Sequence, residues 1–176
     1  MNEGLITKAN QRLESVCVLV QEMIISIGCE QLRQGAYIHL YGVSSFASML
    51  AMKRGRNQEL AAIIGLLHNY YFFKTGVKGF PGPNSADTVR PLLREMNMFT
   101  NEELTLILNA IFYQEDRNKV QGPYEEILKD AQALHSYFQN IRYDLTLQDN
   151  TRLRNVLREL TIPEDFSEHL DYDNGM

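Results

Sequence analysis

The 176-residue chain has two cysteines and no apolar run of membrane-spanning length. The missing run excludes a transmembrane helix, which needs about 20 consecutive apolar residues. Cys17 and Cys29 stand apart in apolar helical contexts. They read as buried free thiols in a reducing cytoplasm rather than as a disulfide. There is no basic patch. The net charge is -5, with both signs interspersed, which argues against binding a nucleic-acid duplex through its phosphates. The start, Met1-Asn2-Glu3-Gly4, lacks the basic residues and apolar core of a secretory signal. Strand-type alternation and internal repeats are also missing.

What is present is helical spacing. Composition is ordinary for a globular domain, 44% hydrophobic and 22% charged. Leu5 to Ile27 carries Leu13, Val16, Cys17, Val20, Met23, Ile24 and Ile27 in a three-four rhythm, with Gly28 as the expected C-cap. This helix is apolar enough to support a homodimer or to cover the core. A second helix is expected from Glu30 to Lys53, and a third from Gln58 to Phe73. The third is apolar nearly all round and so reads as the buried centre. Thr75 to Asn84 is rich in glycine and proline and reads as a loop. Helix resumes near Ser85, with Pro91 expected to kink or delay it. Thr100 to Glu103 forms a capping box for a helix running through Ile111. Tyr124 to Phe138 and Asp149 to Leu160 complete the set. The expected fold is all-α, a single-domain bundle of six or seven helices. An N-terminal helix (1–28) packs on a core (29–140), followed by a C-terminal helix and acidic tail (141–176).

His39, His68-Asn69 and Asp130 each lie on or beside an apolar helix face. Facing a polar ligand-type residue inward has a cost that needs a reason. Two imidazoles, an amide oxygen and a carboxylate would suit one divalent ion, with iron, manganese, zinc or magnesium as candidates. Asn69 both donates and accepts, so it would also join His39 to Asp130 in a hydrogen-bond network without an ion. His135 reads as a surface residue and His169 as solvated in the acidic tail. Tyr70-Tyr71-Phe72-Phe73 reads as core packing against the first helix, or as an aromatic pocket wall. Arg152, Arg154 and Arg158, balanced by Asp149, Glu159 and Glu164, read as a solvated face.

The ordering resembles the HD superfamily of metal-dependent phosphohydrolases, with its His…His-Asp…Asp pattern on a helical core. The resemblance covers about residues 30 to 140. It includes the flanks Ala61-Ala62-Ile63-Ile64-Gly65-Leu66-Leu67-His68-Asn69 and Glu126-Ile127-Leu128-Lys129-Asp130-Ala131-Gln132-Ala133-Leu134. It implies an HD-type bundle and a metal set of His39, His68, Asn69 and Asp130. Asp130 would be the catalytic carboxylate that holds the ion and orients its water. Lys74, Lys78 or Arg94 would neutralise a phosphate, and Gln114 would line the substrate site.

The chain departs from that family at several positions. Asn69 replaces the second-motif aspartate, Phe72 stands where many members have lysine, and Ser85 and Gln114 stand where some carry further ligands. The implied function is therefore a degenerate HD-domain protein of weak or lost catalytic activity, binding a small phosphorylated ligand or a partner. The alternative is an active mononuclear metal-dependent phosphohydrolase acting on a nucleotide or phosphomonoester.

Overall fold

The computed structural model describes the backbone of residues 3–139 and 147–162, and the side chains of residues 11–139 and 150–162. His169 and the acidic tail lie outside the described residues. The described chain is all-α, with no strand. Its helices are α1 (Glu3–Ile25), α2 (Glu30–Lys53), α3 (Gln58–Leu67), α4 (Tyr70–Thr75), α5 (Pro81–Met96), α6 (Asn101–Phe112), α7 (Pro123–Phe138) and α8 (Leu147–Glu159). No helix among the described residues is long and apolar enough to cross a membrane.

One hydrophobic core draws on all eight, from Val16 and Val20 in α1 to Leu153, Val156 and Leu157 in α8. At its centre is α3, where every residue from Leu60 to Leu67 is buried. Its start is capped by Asn57, whose side chain accepts from the Leu60 N–H at 3.1 Å. Its middle packs almost backbone to backbone on α2. A Cβ on Gly65 would lie 2.5 Å from the Ser44 Cα, and the Ser44 hydroxyl donates to the Ala62 carbonyl across that contact at 2.9 Å. Gly65→Ala is therefore expected to destabilise the fold by about 2 kcal/mol, because the two backbones must separate. Thermal denaturation against the parent checks this; an unchanged midpoint would mean that α2 and α3 can move apart freely.

The capping box forms as the sequence predicts. Thr100 Oγ1 accepts from the Glu103 N–H at 3.2 Å, and Glu103 Oε2 accepts from the Thr100 N–H at 2.9 Å. Arg12 ties α1 to this corner through Glu59 and Glu103.

Four local expectations are corrected. First, α1 ends at Ile25, and a short turn, not a left-handed Gly28, closes it. Second, the expected third helix breaks at His68-Asn69, where Asn69 leaves helical geometry (φ -115°, ψ 22°) and starts α4. Third, the loop after α4 is short, because Pro81 begins α5 as an N1 proline and Pro83 follows in the first turn. The first N–H groups of a helix have no internal partner, so prolines there lose nothing. Helix α5 also runs through Pro91 to Met96, with Pro91 on its exposed side. Fourth, Cys29 is exposed at the N-cap of α2 and Cys17 is only half-buried; both are free thiols.

Candidate functional site

The break between α3 and α4 builds the site. His68 is fully buried at the end of α3, and its Nδ1 faces the Gly65 carbonyl at 2.7 Å. A carbonyl only accepts, so Nδ1 carries the proton and a neutral His68 offers its Nε2 lone pair. That lone pair meets His39 Nε2 on α2 at 3.0 Å. His39 then donates through Nε2. The Asn69 amide lies 3.1 Å from the same His39 nitrogen. Amide ends are assigned from their hydrogen bonds, and a donating His39 Nε2 favours the carbonyl end there.

Burial holds these rings neutral. Desolvation, reinforced by His135, takes His39 down to about 4. Desolvation, with the repulsion that a protonated His68 would meet from protonated His39 or His135 and from Arg117, pushes His68 well below the usual histidine range, against the Gly65 carbonyl. His135 is also pushed down by burial. It is not the surface residue expected from the sequence, being 2% exposed and edge-on to His39 with ring centroids 5.0 Å apart. Gly42 makes room for it, because a Cβ at Gly42 would lie 2.3 Å from His135 Cδ2. His135 Nε2 donates to the Ile38 carbonyl at 3.1 Å, while its Nδ1 is buried with no partner among the described residues. Phe73 closes the other side, with its ring centroid 6.0 Å from that of His39. Tyr70 and Phe73 pack into the core, as the core reading of the aromatic run expects.

A directional chain of hydrogen bonds runs from His68 toward the surface. Arg117 donates to Gln132 Oε1 at 3.2 Å, Gln132 Nε2 donates to Gln114 Oε1 at 2.8 Å, and Gln114 Nε2 donates to the His68 carbonyl at 2.7 Å. Because arginine only donates, the orientation of both amides follows. Gln114, 1% exposed, thus supports the histidine pair. Ser85, also buried, accepts from the Tyr71 N–H at 3.2 Å and holds the start of α4.

Asp130 is elsewhere. Residues two apart on a helix point to nearly opposite sides, so α7 turns Gln132 toward Gln114 and Asp130 away. Asp130 Oδ2 accepts from Arg54 at 2.6 Å and Oδ1 from Arg152 at 2.5 Å. Arg54 also binds Glu159 at 2.7 Å, and Arg152 binds Glu126 at 2.8 Å. The expected link from His39 through Asn69 to Asp130 is therefore not made, and the predicted solvated face on α8 fails at Arg152. A buried carboxylate takes the nearest cations, and here those are arginines from α2 and α8. These residues line a cleft of about 480 Å³ with Arg117.

The other predicted phosphate-neutralising residues do not reach either place. Lys74 is exposed over the Tyr70 ring at 5.8 Å, and Lys78 and Arg94 are exposed on the surface. Sequence reasoning missed Arg54, Arg117 and Arg152. The available signal was Asp130 itself, a carboxylate on an apolar stripe that needs a cation.

Among the described residues, the donor set facing a would-be ion is thus two imidazoles and one amide, without a carboxylate. Among the described residues, no three His, Cys, Asp or Glu side chains stand together to hold a metal. His68 Nε2 and His39 Nε2 already satisfy one another through a single proton. This set does not fit a hard divalent cation, which selects oxygen anions. Comparison with protein-family models, with curated proteins and with solved structures finds no match to this chain.

Proposed function

We propose that this chain is an HD-type helical domain that has lost metal-dependent hydrolysis and binds a small phosphorylated molecule. The observation that carries the reading is the position of Asp130. It is clamped between Arg54 and Arg152 at 2.6 and 2.5 Å, while His39 meets His68 and the Asn69 amide. Hydrolysis of the metal-dependent type needs an ion that polarises the phosphoryl group and activates water, and among the described residues no carboxylate joins the histidines to hold one. Guanidinium groups are the side chains best shaped for phosphate, and three of them line the adjacent cleft. The free thiols Cys17 and Cys29 accord with a reducing cytoplasm.

One observation favours the second reading, an active mononuclear phosphohydrolase. Two Nε2 atoms converge at 3.0 Å, as two imidazole ligands of one ion would approach one another.

Protein purified after manganese, iron or zinc supplementation, assayed on nucleotides and p-nitrophenyl phosphate, separates the two readings. The expected result is no bound metal and no turnover above buffer. Metal-dependent cleavage that disappears in His68→Ala would establish the enzyme instead. Asn69→Asp restores a two-histidine, one-carboxylate set, a combination that holds catalytic zinc. Its zinc affinity by calorimetry is expected to rise at least about tenfold over the parent. Equal affinity in parent and variant would mean that the amide already serves as a full ligand.

A further inference from the structure

The cleft beside α7 presents an arrangement that the histidine site does not use. Asp130 gives each of its oxygens to a different guanidinium, Oδ2 to Arg54 and Oδ1 to Arg152. A third guanidinium, Arg117, and the exposed side chain of Val120 line the same space, about 480 Å³ in volume. That volume suits a small metabolite.

We propose that this cleft is a phosphate-monoester site in which Asp130 is a built-in anion occupying the phosphate position. The inference rests on the phosphorylated-ligand reading above and adds the location, the recognising residues and an internal competitor. A carboxylate brings two oxygens and one charge. A phosphate monoester brings three terminal oxygens and nearly two charges, so it replaces Asp130 between Arg54 and Arg152 and offers a further oxygen toward Arg117. The arginines stay aimed when Asp130 leaves, because two further carboxylates of the cleft wall, Glu159 and Glu126, still hold them. Glu159 takes Arg54 Nε at 3.0 Å and a terminal nitrogen at 2.7 Å, and Glu126 takes Arg152 at 2.8 Å. Planar guanidiniums fixed in this way bind phosphate oxygens directionally. Val120 supplies an apolar wall for the ester's organic group.

The test uses the full chain, with inorganic phosphate and a nucleoside monophosphate as probes, followed through the arginine Nε–Hε signals in NMR. In the parent, the Arg54 and Arg152 signals move together and saturate, and the His39 and His68 ring signals stay in place. Asp130→Asn removes the competing charge and tightens phosphate binding at least tenfold. Arg152→Gln abolishes saturable binding. Arg12→Gln, whose partners are Glu59 and Glu103, leaves it unchanged. Weaker or unchanged binding in a folded Asp130→Asn variant overturns the proposal; if that variant does not fold, the parent's arginine signals decide alone. Binding that moves His39, His68 and Gln114 but neither arginine overturns the cleft assignment while leaving the phosphorylated-ligand reading intact. Metal-dependent turnover without arginine shifts overturns both.

Discussion

Lys129→Met is expected to lower the unfolding free energy by about 3 kcal/mol, the lower end for breaking a buried charge network. Lys129 is 0% exposed on α7. Its ammonium donates to the Asp116 carbonyl at 2.8 Å, the Lys119 carbonyl at 3.1 Å, Glu126 Oε1 at 2.9 Å and Gln121 Oε1. Three of these four acceptors come from the connection between α6 and α7, so the buried ammonium folds that connection around itself. Methionine fills similar volume but offers no proton. The Asp116 and Lys119 carbonyls then stay buried without a donor, or the connection opens to water. Glu126 keeps Arg152 as a partner, which is why the expected loss is not larger. Chemical denaturation gives the free energy, and hydrogen exchange at residues 116–121 shows whether the connection loosens. A loss below about 1 kcal/mol with unchanged exchange would contradict this account. The same connection carries Arg117 and Val120 into the cleft, so the buried lysine also bears on the shape of the proposed ligand site.

The second large effect is acid destabilisation between about pH 6.5 and 4. His39 is held neutral, with its folded value down at about 4, and His68 is pushed down further by complete burial. In the unfolded chain both titrate near 6.5. Above that pH both states are neutral and the full stability is present. As pH falls below it, the unfolded chain takes up protons that the folded chain refuses, so stability falls. Each histidine contributes a slope of up to about 1.4 kcal/mol per pH unit. His39 alone then accounts for about 3 kcal/mol by pH 4, and His68 adds to it in the same window. Denaturation midpoints from pH 8 to 4 check the sign and the window. In His39→Gln the slope between pH 6.5 and 5 should shrink, and an unchanged slope would mean that His39 takes up its proton in the folded state.

Much of the fold was legible because its signals are local. The all-round apolar run from Leu60 to Leu67 marks a buried helix, and Thr100 with Glu103 marks a helix start, since neither depends on distant residues. The proline positions misled because Gly-Pro clusters signal turns, while Pro81 lies at the N1 position that a helix tolerates. The site was half legible. Periodicity located His39 and His68 on inward faces, and the two do meet. It placed Asp130 among apolar neighbours but had no means of choosing its partner. The arginines that claim it lie 76 and 22 residues away, and which of them reach α7 is decided by packing. His135 was misread for a related reason. Its burial depends on a slot that Gly42 opens on another helix, 93 residues earlier in the chain. The residues that α7 turns toward the histidine side are Gln132 and His135, two and five positions beyond the one that motif spacing selected.

His39 Nε2 and His68 Nε2 meet at 3.0 Å, and in the proposed reading a proton, not a metal ion, lies between them. Side-chain nitrogen NMR of the histidines during a zinc titration tests this most directly. The predicted result is that His68 remains protonated at Nδ1, with both Nε2 signals unmoved at one equivalent of zinc. A saturable shift of both Nε2 signals at one equivalent would contradict it and make this site a metal centre.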